Sequence, residues 1–246
     1  MGRQVAQAAA ADPATTPLGF VDALAESDEC DGLPLYRDAG ACLDSLEPAV
    51  VVDFTNAAWT PQLAKAALAR RVNLVIGTTG LSPAFLEELG QEAAAKKLGV
   101  VVAPNFAIGA VLLMHFARQA ARFFDHAEII ELHHAGKVDA PSGTAKTTAD
   151  QMVAARGEPF ARVEAETQIV PHTRGGEVGG VTIHSVRLPG LVAHQEVLLG
   201  GLGQTLTLRH DSTGRDSFMP GVLAAVKAVG EADGLVLGLD ELFGLS

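Results

Sequence analysis

Residues 72–105 read VNLVIGTTGLSPAFLEELGQEAAAKKLGVVVAPN, and in this stretch two short runs of Val, Leu and Ile flank one helical segment. Such runs, separated by a helix of about 10–15 residues, indicate neighbouring strands of a parallel sheet that is covered on both faces. A third run, VVVDFT at 50–55, precedes the helical segment TPQLAKAALARR, and LGFVD at 18–22 adds a short strand. The first part of the chain is therefore predicted to be a Rossmann-like, doubly wound α/β unit.

The character of the sequence changes after residue 107. AEIIELHH at 127–134 predicts a strand, and VTIHSVRL, VAHQEVLLG and QTLTLRHD follow with Gly-containing turns. Successive strands with short links favour an antiparallel sheet, so this part is predicted to be α+β. The closing segment SFMPGVLAAVKAVGEA predicts a helix that returns to the first unit. We therefore expect one domain from 1–106 with 216–246, and a second from 107–215.

Charge and composition exclude several classes of protein. The formal net charge is -11, from 29 acidic and 18 basic residues, and this argues against an extended nucleic-acid surface. The apolar stretch at 98–117 is interrupted by Pro104 and Asn105, so it predicts a strand, a turn and a helix rather than a membrane span. Cys30 and Cys42 form no C-x-x-C motif, which fits a reducing compartment. We expect a cytoplasmic protein without nucleic-acid or membrane partners.

Three loops follow the predicted parallel strands. Ligands of open parallel sheets bind beyond the carboxyl ends of the strands, and these loops carry small or polar residues there. They contain Phe54 and Thr55; Gly77, Thr78, Thr79 and Gly80; and Ala103, Pro104, Asn105 and Phe106. Any one of them is also compatible with an ordinary turn, since GTTG could be a strand-to-helix connection with a Thr cap. Their recurrence after three strands favours a site for a flat aromatic ring and its amide.

Asp22 ends the segment LGFVD. An acidic side chain at the end of the second strand of such a fold accepts hydrogen bonds from an adenosine ribose, although Asp is also common as a solvated or capping residue. Asp22 is followed by Ala23, where an arginine would pair with a 2′-phosphate. We therefore expect NADH to be used at least as well as NADPH.

The segment ELHHAGKVDAPSGTA at 131–145 combines groups that a purely apolar core would not need. Ser142, Gly143 and Thr144 open a predicted helix, whose free N–H groups and positive dipole end suit a carboxylate. Lys137 adds a full positive charge nearby. A surface helix start would be the alternative for Ser-Gly-Thr alone, but the neighbouring lysine and histidines favour an anion site.

His133 and His134 follow the predicted strand, so their side chains should point in opposite directions. A histidine beside bound anions gains proton affinity and becomes a competent general acid near neutral pH. A zinc site is the alternative, because His126 and His184 are also present, but no zinc-type spacing supports it. We predict a general acid here and no metal.

The string ELHHAGKVDAPSGTA resembles the signature of the 4-hydroxy-tetrahydrodipicolinate reductase family, also called the dihydrodipicolinate reductases, of the diaminopimelate route to lysine. The resemblance extends to VDFT, VIGTTG, APNFAIGAVL, VRLPGLVAHQEVLLG and RHDSTGRDSFMPG, and so to nearly the whole chain. It implies reduction of a cyclic dicarboxylate by NADH or NADPH in a homotetramer. It also implies a dinucleotide-binding first domain and a second domain for substrate binding and oligomerisation.

The resemblance also implies roles for individual residues. His133 is expected to donate the proton, with Lys137 as its catalytic partner. His134, Lys137, Ser142, Gly143 and Thr144 are expected to bind substrate carboxylates. Asp22 is expected to bind the cofactor's ribose. The expected nicotinamide-side residues are Phe54, Thr55, Gly77, Thr78, Thr79, Ala103, Pro104, Asn105 and Phe106.

One departure from the family pattern concerns the pyrophosphate loop. The family opens with a strand and a G-x-x-G-x-x-G loop, whereas Met1-Gly2-Arg3 resembles only the end of that loop. We expect the start to be late by roughly 15 residues, so that the first strand of the doubly wound sheet is missing and the sheet is destabilised. A non-catalytic ligand-binding or sensing relative is therefore an alternative function, and another oxidoreductase of related fold is a third.

Overall fold

The structure is a computed structural model that describes residues 1–245. It divides into two units, one formed by Met1–Ile108 with Arg215–Ser246 and the other by Gly109–Gly214. The helices and strands in chain order are α1 Gly2–Ala11, β1 Phe20–Val21, β2 Glu29–Cys30, β3 Leu33–Tyr36, α2 Ala39–Leu46, β4 Val50–Asp53, α3 Thr60–Ala69, β5 Asn73–Ile76, α4 Pro83–Lys96, β6 Gly99–Val102, α5 Ile108–Ala121, β7 His126–His133, α6 Gly143–Arg156, β8 Gly176–Val178, β9 Val181–Arg187, β10 Ala193–Gly201, β11 Gln204–Ser212, α7 Met219–Ala228, β12 Gly234–Leu237 and α8 Leu239–Leu242.

The first unit contains a four-stranded parallel sheet in the order β12-β6-β5-β4. Its central strands are almost completely buried, as their uninterrupted Val, Leu and Ile runs predict. The helix between them, α4, begins where Ser82 accepts a hydrogen bond from the Phe85 N–H at 3.2 Å and Pro83 takes the first helical position. Such a cap stabilises a helix by about 1 kcal/mol. The predicted Rossmann-like α/β fold is confirmed.

A second, smaller sheet in the same unit has the order β1-β3-β2. β1 is parallel to β3, and β2 is antiparallel to β3. The predicted strand LGFVD is thus reduced to Phe20–Val21, and it pairs with Leu35 and Tyr36. The sequence analysis did not predict β3, because Pro34 interrupts its apolar pattern and its pairing is not local.

The second unit contains a five-stranded sheet in the order β11-β10-β7-β9-β8. Every neighbouring pair is antiparallel except β7 and β9, which are parallel because α6 lies between them in the chain. The predicted α+β fold with a mostly antiparallel sheet is confirmed. Side chains of α5 and α6, including Leu113 and Met152, pack on one face of this sheet against Ile129, Val197 and Leu199.

The two faces of β7 differ in burial. Ala127, Ile129 and Glu131 are buried, whereas Ile130 and Leu132, which alternate with them, are only half-buried. A glutamate is therefore buried on one face while two large apolar side chains on the other remain partly exposed. Among residues 1–245, no helix has the length and apolar character needed to cross a membrane.

Candidate active site

The carboxylate of Glu131 lies at the centre of a polar cluster in the second unit. Its side chain is fully buried, and both oxygens accept hydrogen bonds. Arg187 of β9 donates through Nη1 to Oε2 at 2.9 Å and through Nη2 to Oε1 at 2.8 Å. This bidentate pairing is the geometry in which a guanidinium best neutralises a buried carboxylate. Arg187 Nη2 also donates to the Asp139 carbonyl at 2.7 Å, which links the cluster to the following loop.

Two groups from the predicted site bind the same carboxylate. His133 Nδ1 lies 2.5 Å from Glu131 Oε2, and the Ser142 N–H donates to Oε1 at 3.2 Å. The predicted acid and the start of the predicted anion-binding helix therefore meet at one side chain, although nine residues separate them in the chain.

The electrostatics of the cluster depend on burial and on Arg187. Burial alone would raise the pKa of Glu131, but the hydrogen bonds from Arg187, Ser185 and His133 outweigh burial and hold this pKa below its ordinary value. Glu131 is therefore an anion near neutral pH and accepts hydrogen bonds only. A buried carboxylate without such partners would be protonated instead.

The pKa of His133 lies below its ordinary value. Burial is the main cause, and the positive charges of Lys137 and Arg187 act in the same direction, while Glu131 opposes them. The side chain is 15% exposed. This shift is opposite to the gain in proton affinity that we expect beside a bound anion, because the effect of burial on the pKa of His133 outweighs that of Glu131.

Helix α6 begins as the sequence predicts. Ser142 is its N-cap, and the Ser142 hydroxyl accepts from the Ala145 N–H at 3.1 Å. Because Glu131 takes the Ser142 N–H, the N–H groups of Gly143 and Thr144 are the ones that the first turn presents without an intrahelical acceptor. Gly143 is exposed, and Thr144 is half-buried. The helix has 14 residues, so its positive dipole end adds to the attraction for a carboxylate.

Lys137 and His134 are brought together by a turn between β7 and α6. The Lys137 N–H donates to the His134 carbonyl at 3.1 Å, and the His134 side chain is exposed. Lys137 Nζ pairs with Asp139 Oδ1 at 2.7 Å, with the lysine side chain 22% exposed. A substrate carboxylate that binds Lys137 would therefore compete with Asp139.

In the first unit, the predicted loops after β4 and β5 are joined by the buried side chain of Asp53. Its Oδ1 accepts from the Thr55 N–H at 2.9 Å and from the Thr55 hydroxyl at 2.6 Å. Its Oδ2 accepts from the hydroxyls of Thr60 at 2.5 Å and Thr78 at 3.1 Å. Thr78 is buried, and its assignment to the cofactor stays a prediction.

Two aromatic rings are in contact at the same edge of the sheet, those of Phe54 and Phe106, and Gly77 lies close to Phe54. The rings of Phe54 and Phe106 meet edge to face with centroids 5.4 Å apart. A Cβ on Gly77 would lie 2.1 Å from Phe54 Cε1, so only glycine allows this ring position. Phe106 and Ala103 are buried, which makes them packing residues beneath the loop surface.

The remaining predicted cofactor residues are more accessible. Thr55, Thr79 and Pro104 are exposed, while Asn105 is half-buried and accepts from the Ala107 N–H at 2.9 Å through Oδ1. Asp22 is exposed, and its Oδ1 accepts from the Leu24 N–H at 2.9 Å in the turn that follows β1. Among residues 1–245, no group of three or more His, Cys, Asp or Glu side chains is placed to hold a metal ion.

Two family models match consecutive parts of the chain. The model described as "Dihydrodipicolinate reductase, N-terminus" matches residues 1–106, and that described as "Dihydrodipicolinate reductase, C-terminus" matches residues 109–243. The chain belongs to the dihydrodipicolinate reductase family. The resemblance stated from the sequence is thereby confirmed.

Individual relatives agree with this assignment. A 4-hydroxy-tetrahydrodipicolinate reductase of Dehalococcoides mccartyi (strain CBDB1) is 45% identical over 251 residues, covering 100% of this chain and 95% of the relative. One from Moorella thermoacetica is 50% identical over 211 residues, covering 86% of this chain and 79% of the relative. The structure of a dipicolinate-bound dihydrodipicolinate reductase from Paenisporosarcina sp. TG-14 has a TM-score of 0.90 at 38% identity, covering 98% of this chain and 94% of that one.

Sequence reasoning missed three residues that organise these sites, namely Glu131, Arg187 and Asp53. Glu131 lies in the segment ELHH and Asp53 in VVVDFT, and both were predicted only as strand residues with no functional role. A charged residue within a run of buried apolar residues was the available signal, because burial requires a partner. Arg187 could not be connected with Glu131 from the sequence, since 56 residues separate them.

Proposed function

We propose that this chain catalyses the conversion of 4-hydroxy-tetrahydrodipicolinate to tetrahydrodipicolinate: loss of water gives dihydrodipicolinate, which is then reduced by the hydride of NADH or NADPH and protonated by His133. The observation that carries the proposal is the buried Glu131 carboxylate, which binds His133 through one oxygen and the start of α6 through the other. His133 and the start of α6 are thereby held side by side, which supports a proton donor next to a site for a carboxylate. The dipicolinate bound to the Paenisporosarcina relative is a cyclic dicarboxylate, which supports this substrate class.

Two basic features would hold the carboxylates of the substrate. The N–H groups of Gly143 and Thr144, the Thr144 hydroxyl and the α6 dipole suit one carboxylate, with Ser142 fixing the helix start. Lys137 supplies a full charge, and His134 lies one turn away from it. In a protein of net charge -11, a local basic site of this kind is required to attract an anion.

The first unit offers a fitting place for the nicotinamide cofactor. The carboxyl ends of β4, β5 and β6 present small or polar loop residues, and Gly77 leaves room for the Phe54 ring, which a Cβ would exclude. Phe54, Thr55, Gly77, Thr79, Pro104 and Asn105 would contact the ring side, with Thr78, Ala103 and Phe106 supporting them and Asp22 at the ribose. NADH or NADPH supplies a hydride when bound there.

The residues of the second unit would complete the reaction. The substrate ring is conjugated and electron-poor, so one of its carbons accepts a hydride while the adjacent carbon accepts a proton. His133 holds that proton, and Lys137 with the α6 start keeps the ring in position through its carboxylates. Orientation of this kind supplies several kcal/mol of the rate enhancement of a typical enzyme.

The test is the reaction itself with a His133 variant. Purified protein is mixed with enzymatically made substrate and NADH or NADPH, and the loss of absorbance of the reduced cofactor is followed. His133→Ala should lower kcat by about 10² to 10⁴, the usual contribution of a general acid, with nearly unchanged affinity for the cofactor. His126→Ala, at the other end of β7, is the control and should keep kcat within about twofold of the parent. Full kcat in His133→Ala would overturn the assignment.

The same assay compares the two cofactors. Arg3 pairs with Asp31 at 2.5 Å, and Arg37 pairs with Asp28 at 2.6 Å. A 2′-phosphate would have to compete with Asp31 or Asp28 for these arginines, so NADH should serve at least as well as NADPH. A kcat/KM that favours NADPH by more than about tenfold, equivalent to 1.4 kcal/mol, would contradict this expectation.

The sensing alternative is not favoured. A protein that only binds a ligand has no need for a buried His–Glu–Arg cluster that orients a proton donor. Membership of a reductase family and the intact string from Glu131 to Ala145 both support the catalytic function. Absence of cofactor oxidation with both NADH and NADPH would revive the alternative.

We also propose that copies of the chain assemble into a homotetramer through the sheet of the second unit. The face of β7 that carries Ile130 and Leu132 is only half-buried within one chain, and Leu198 and Val186 on neighbouring strands are also half-buried. The same face also carries ion pairs such as Glu128 with Arg174 and Glu196 with Arg209, and a surface of mixed apolar and charged side chains is compatible with a subunit interface. The cytoplasm remains our predicted location, and the free thiols of Cys30 and Cys42 support a reducing compartment.

A further inference from the structure

Glu131 and Arg187 have a role that goes beyond packing. The two carboxylate oxygens of Glu131 serve different partners, because Oε2 lies beside His133 Nδ1 and Oε1 accepts the Ser142 N–H. Arg187 binds both oxygens at once and therefore fixes the plane of the carboxylate. Any rotation of this plane would displace the histidine ring and the first residue of the helix start together.

The contact with Glu131 determines the tautomer of His133. A carboxylate that is ionised and paired with a guanidinium can only accept hydrogen bonds, so the proton between Nδ1 and Oε2 belongs to the imidazole. Nε2 is then the ring nitrogen that gains and loses the exchangeable proton. The same arrangement, in which a histidine donates one N–H to a fixed acceptor, sets the tautomer in many catalytic sites.

Arg187 also sets the charge that the histidine experiences. Without it, Glu131 would be a bare anion that strongly favours the imidazolium, and the protonated histidine would be a weaker acid. With Arg187 in place, the pair has no net charge but keeps its orienting oxygen. The other charged groups near the ring are Lys137 and Asp139 of the loop before α6, which form a pair of their own.

We infer that Glu131 and Arg187 are a positioning pair for the reaction: Glu131 fixes His133 with Nδ1 as donor and holds the start of α6, while Arg187 keeps the cluster neutral so that His133 remains a strong proton donor at Nε2. The inference rests on the proposed function of His133 as the acid. It assigns no contact between either residue and the substrate.

The second unit contains a matched control on the same strand. Glu128 also binds an arginine and a histidine, with Arg174 Nη2 at 2.5 Å and His184 Nε2 at 2.9 Å. It lies on the other face of β7, away from the Ser142 helix start. Glu128→Gln therefore removes the carboxylate of a similar but more exposed ion-pair cluster without touching the proposed acid.

The experiment is a titration of the histidine rings by ¹⁵N NMR in the whole, unliganded protein, with His133→Ala used for assignment. In the parent, neutral His133 should show the Nδ1–H tautomer. Glu131→Gln should lower the pKa of His133, because the positive charge of Arg187 is left uncompensated, and Arg187→Gln should raise it, because the negative charge of Glu131 is then unmasked. If the pair had only a structural role, both variants would shift the pKa of His133 in the same direction. Glu128→Gln should leave the pKa of His133 unchanged.

Kinetics complete the test. Glu131→Gln should lower kcat at least about 30-fold while the KM for NADH stays within about twofold, and Glu128→Gln should leave kcat within about twofold. Three results would each overturn the inference. They are an Nε2–H tautomer of neutral His133 in the parent, His133 pKa shifts of the same sign in Glu131→Gln and Arg187→Gln, and full kcat in Glu131→Gln. If the variants do not fold, the tautomer of neutral His133 in the parent still tests the inference. A parent that shows the expected tautomer but oxidises neither cofactor would refute the proposed function instead.

Discussion

The acid strength of His133 depends on the charges around it, and these change when the substrate binds. In the chain without ligand, burial lowers the pKa of His133, and Lys137 and Arg187 add to the effect. If the proposed substrate site is correct, a bound dicarboxylate would bring negative charge to Lys137 and to the α6 start, which favours the imidazolium and would raise this pKa. The proton donor should therefore be charged to a higher pH in the complex than in the free protein.

This difference predicts two separate pH profiles. A reaction that needs protonated His133 loses rate as the pH rises through the pKa of that group. The profile of kcat/KM reports the free protein and that of kcat reports the complex, so the falling limb of kcat should lie at higher pH than that of kcat/KM. Measuring both constants from pH 5 to 9 in one buffer series is sufficient. Coincident limbs, or a kcat limb at lower pH, would mean that His133 is not the titrating acid.

Lys137 provides a second prediction for a single residue. Lys137→Ala should reduce kcat/KM by the equivalent of about 2–4 kcal/mol, because a charge-assisted contact is lost and the substrate carboxylate stays partly desolvated. Lys96→Ala is the control, since Lys96 forms a comparable ion pair with Glu92 at 2.8 Å on α4 and should change kcat/KM little. A loss smaller than about threefold in Lys137→Ala would place this lysine among ordinary surface charges.

At the level of elements, the loops after β4 and β5 depend on the close contact between Gly77 and Phe54. Gly77→Ala would place a Cβ 2.1 Å from the Phe54 ring, which must then move away from Phe106. We expect the affinity for NADH to fall about tenfold or more, measured by fluorescence titration, and the thermal midpoint to drop. Gly230→Ala, where a Cβ would meet no atom within 4 Å, should leave both unchanged. If Gly77→Ala bound NADH with unaltered affinity, the loop after β5 would not be part of the cofactor site.

The central elements were predictable from the sequence because their information is local. β5 and β6 are uninterrupted apolar runs, and α4 and α6 begin at a serine cap. β3 was missed because its pairing with β1 joins distant residues and Pro34 disguises the strand. The parallel pairing of β7 with β9 likewise depends on where the chain returns after α6, which no residue in either strand specifies.

The candidate site was predictable only in part for a similar reason. The helix start is predicted by Ser142, Gly143 and Thr144, and the two histidines lie at the end of a predicted strand. The alternation in β7 does not reveal which face is buried, since one face carries Ile129 and Glu131 and the other Ile130 and Leu132. The face with Glu131 can be buried because Arg187 of β9 pairs with this carboxylate. The sequence of β7 or of β9 alone does not predict such a long-range pair.

For the whole molecule, the half-buried face of the second sheet predicts assembly. Leu198 on β10 lies opposite Glu128 on that face, so Leu198→Glu would bring two carboxylates together where subunits should meet. We expect light scattering after gel filtration to give the mass of four chains for the parent and of fewer chains for Leu198→Glu. Leu202→Glu, in the fully exposed turn between β10 and β11, should leave the mass unchanged. A parent with the mass of one chain would refute the proposed tetramer.

The division of the chain into units also has a consequence for biosynthesis. The second unit is one continuous segment, whereas the first is assembled from two segments, and its strand β12 pairs with β6 only after residues 109–214 have been made. While a ribosome is still translating that middle segment, β6 has a vacant edge and the apolar side chains that later meet α7 lack their partner. The nascent first unit must therefore stay unfinished while the second unit forms, and this interval is when its exposed strand edge is most open to chaperones and to pairing with the wrong chain.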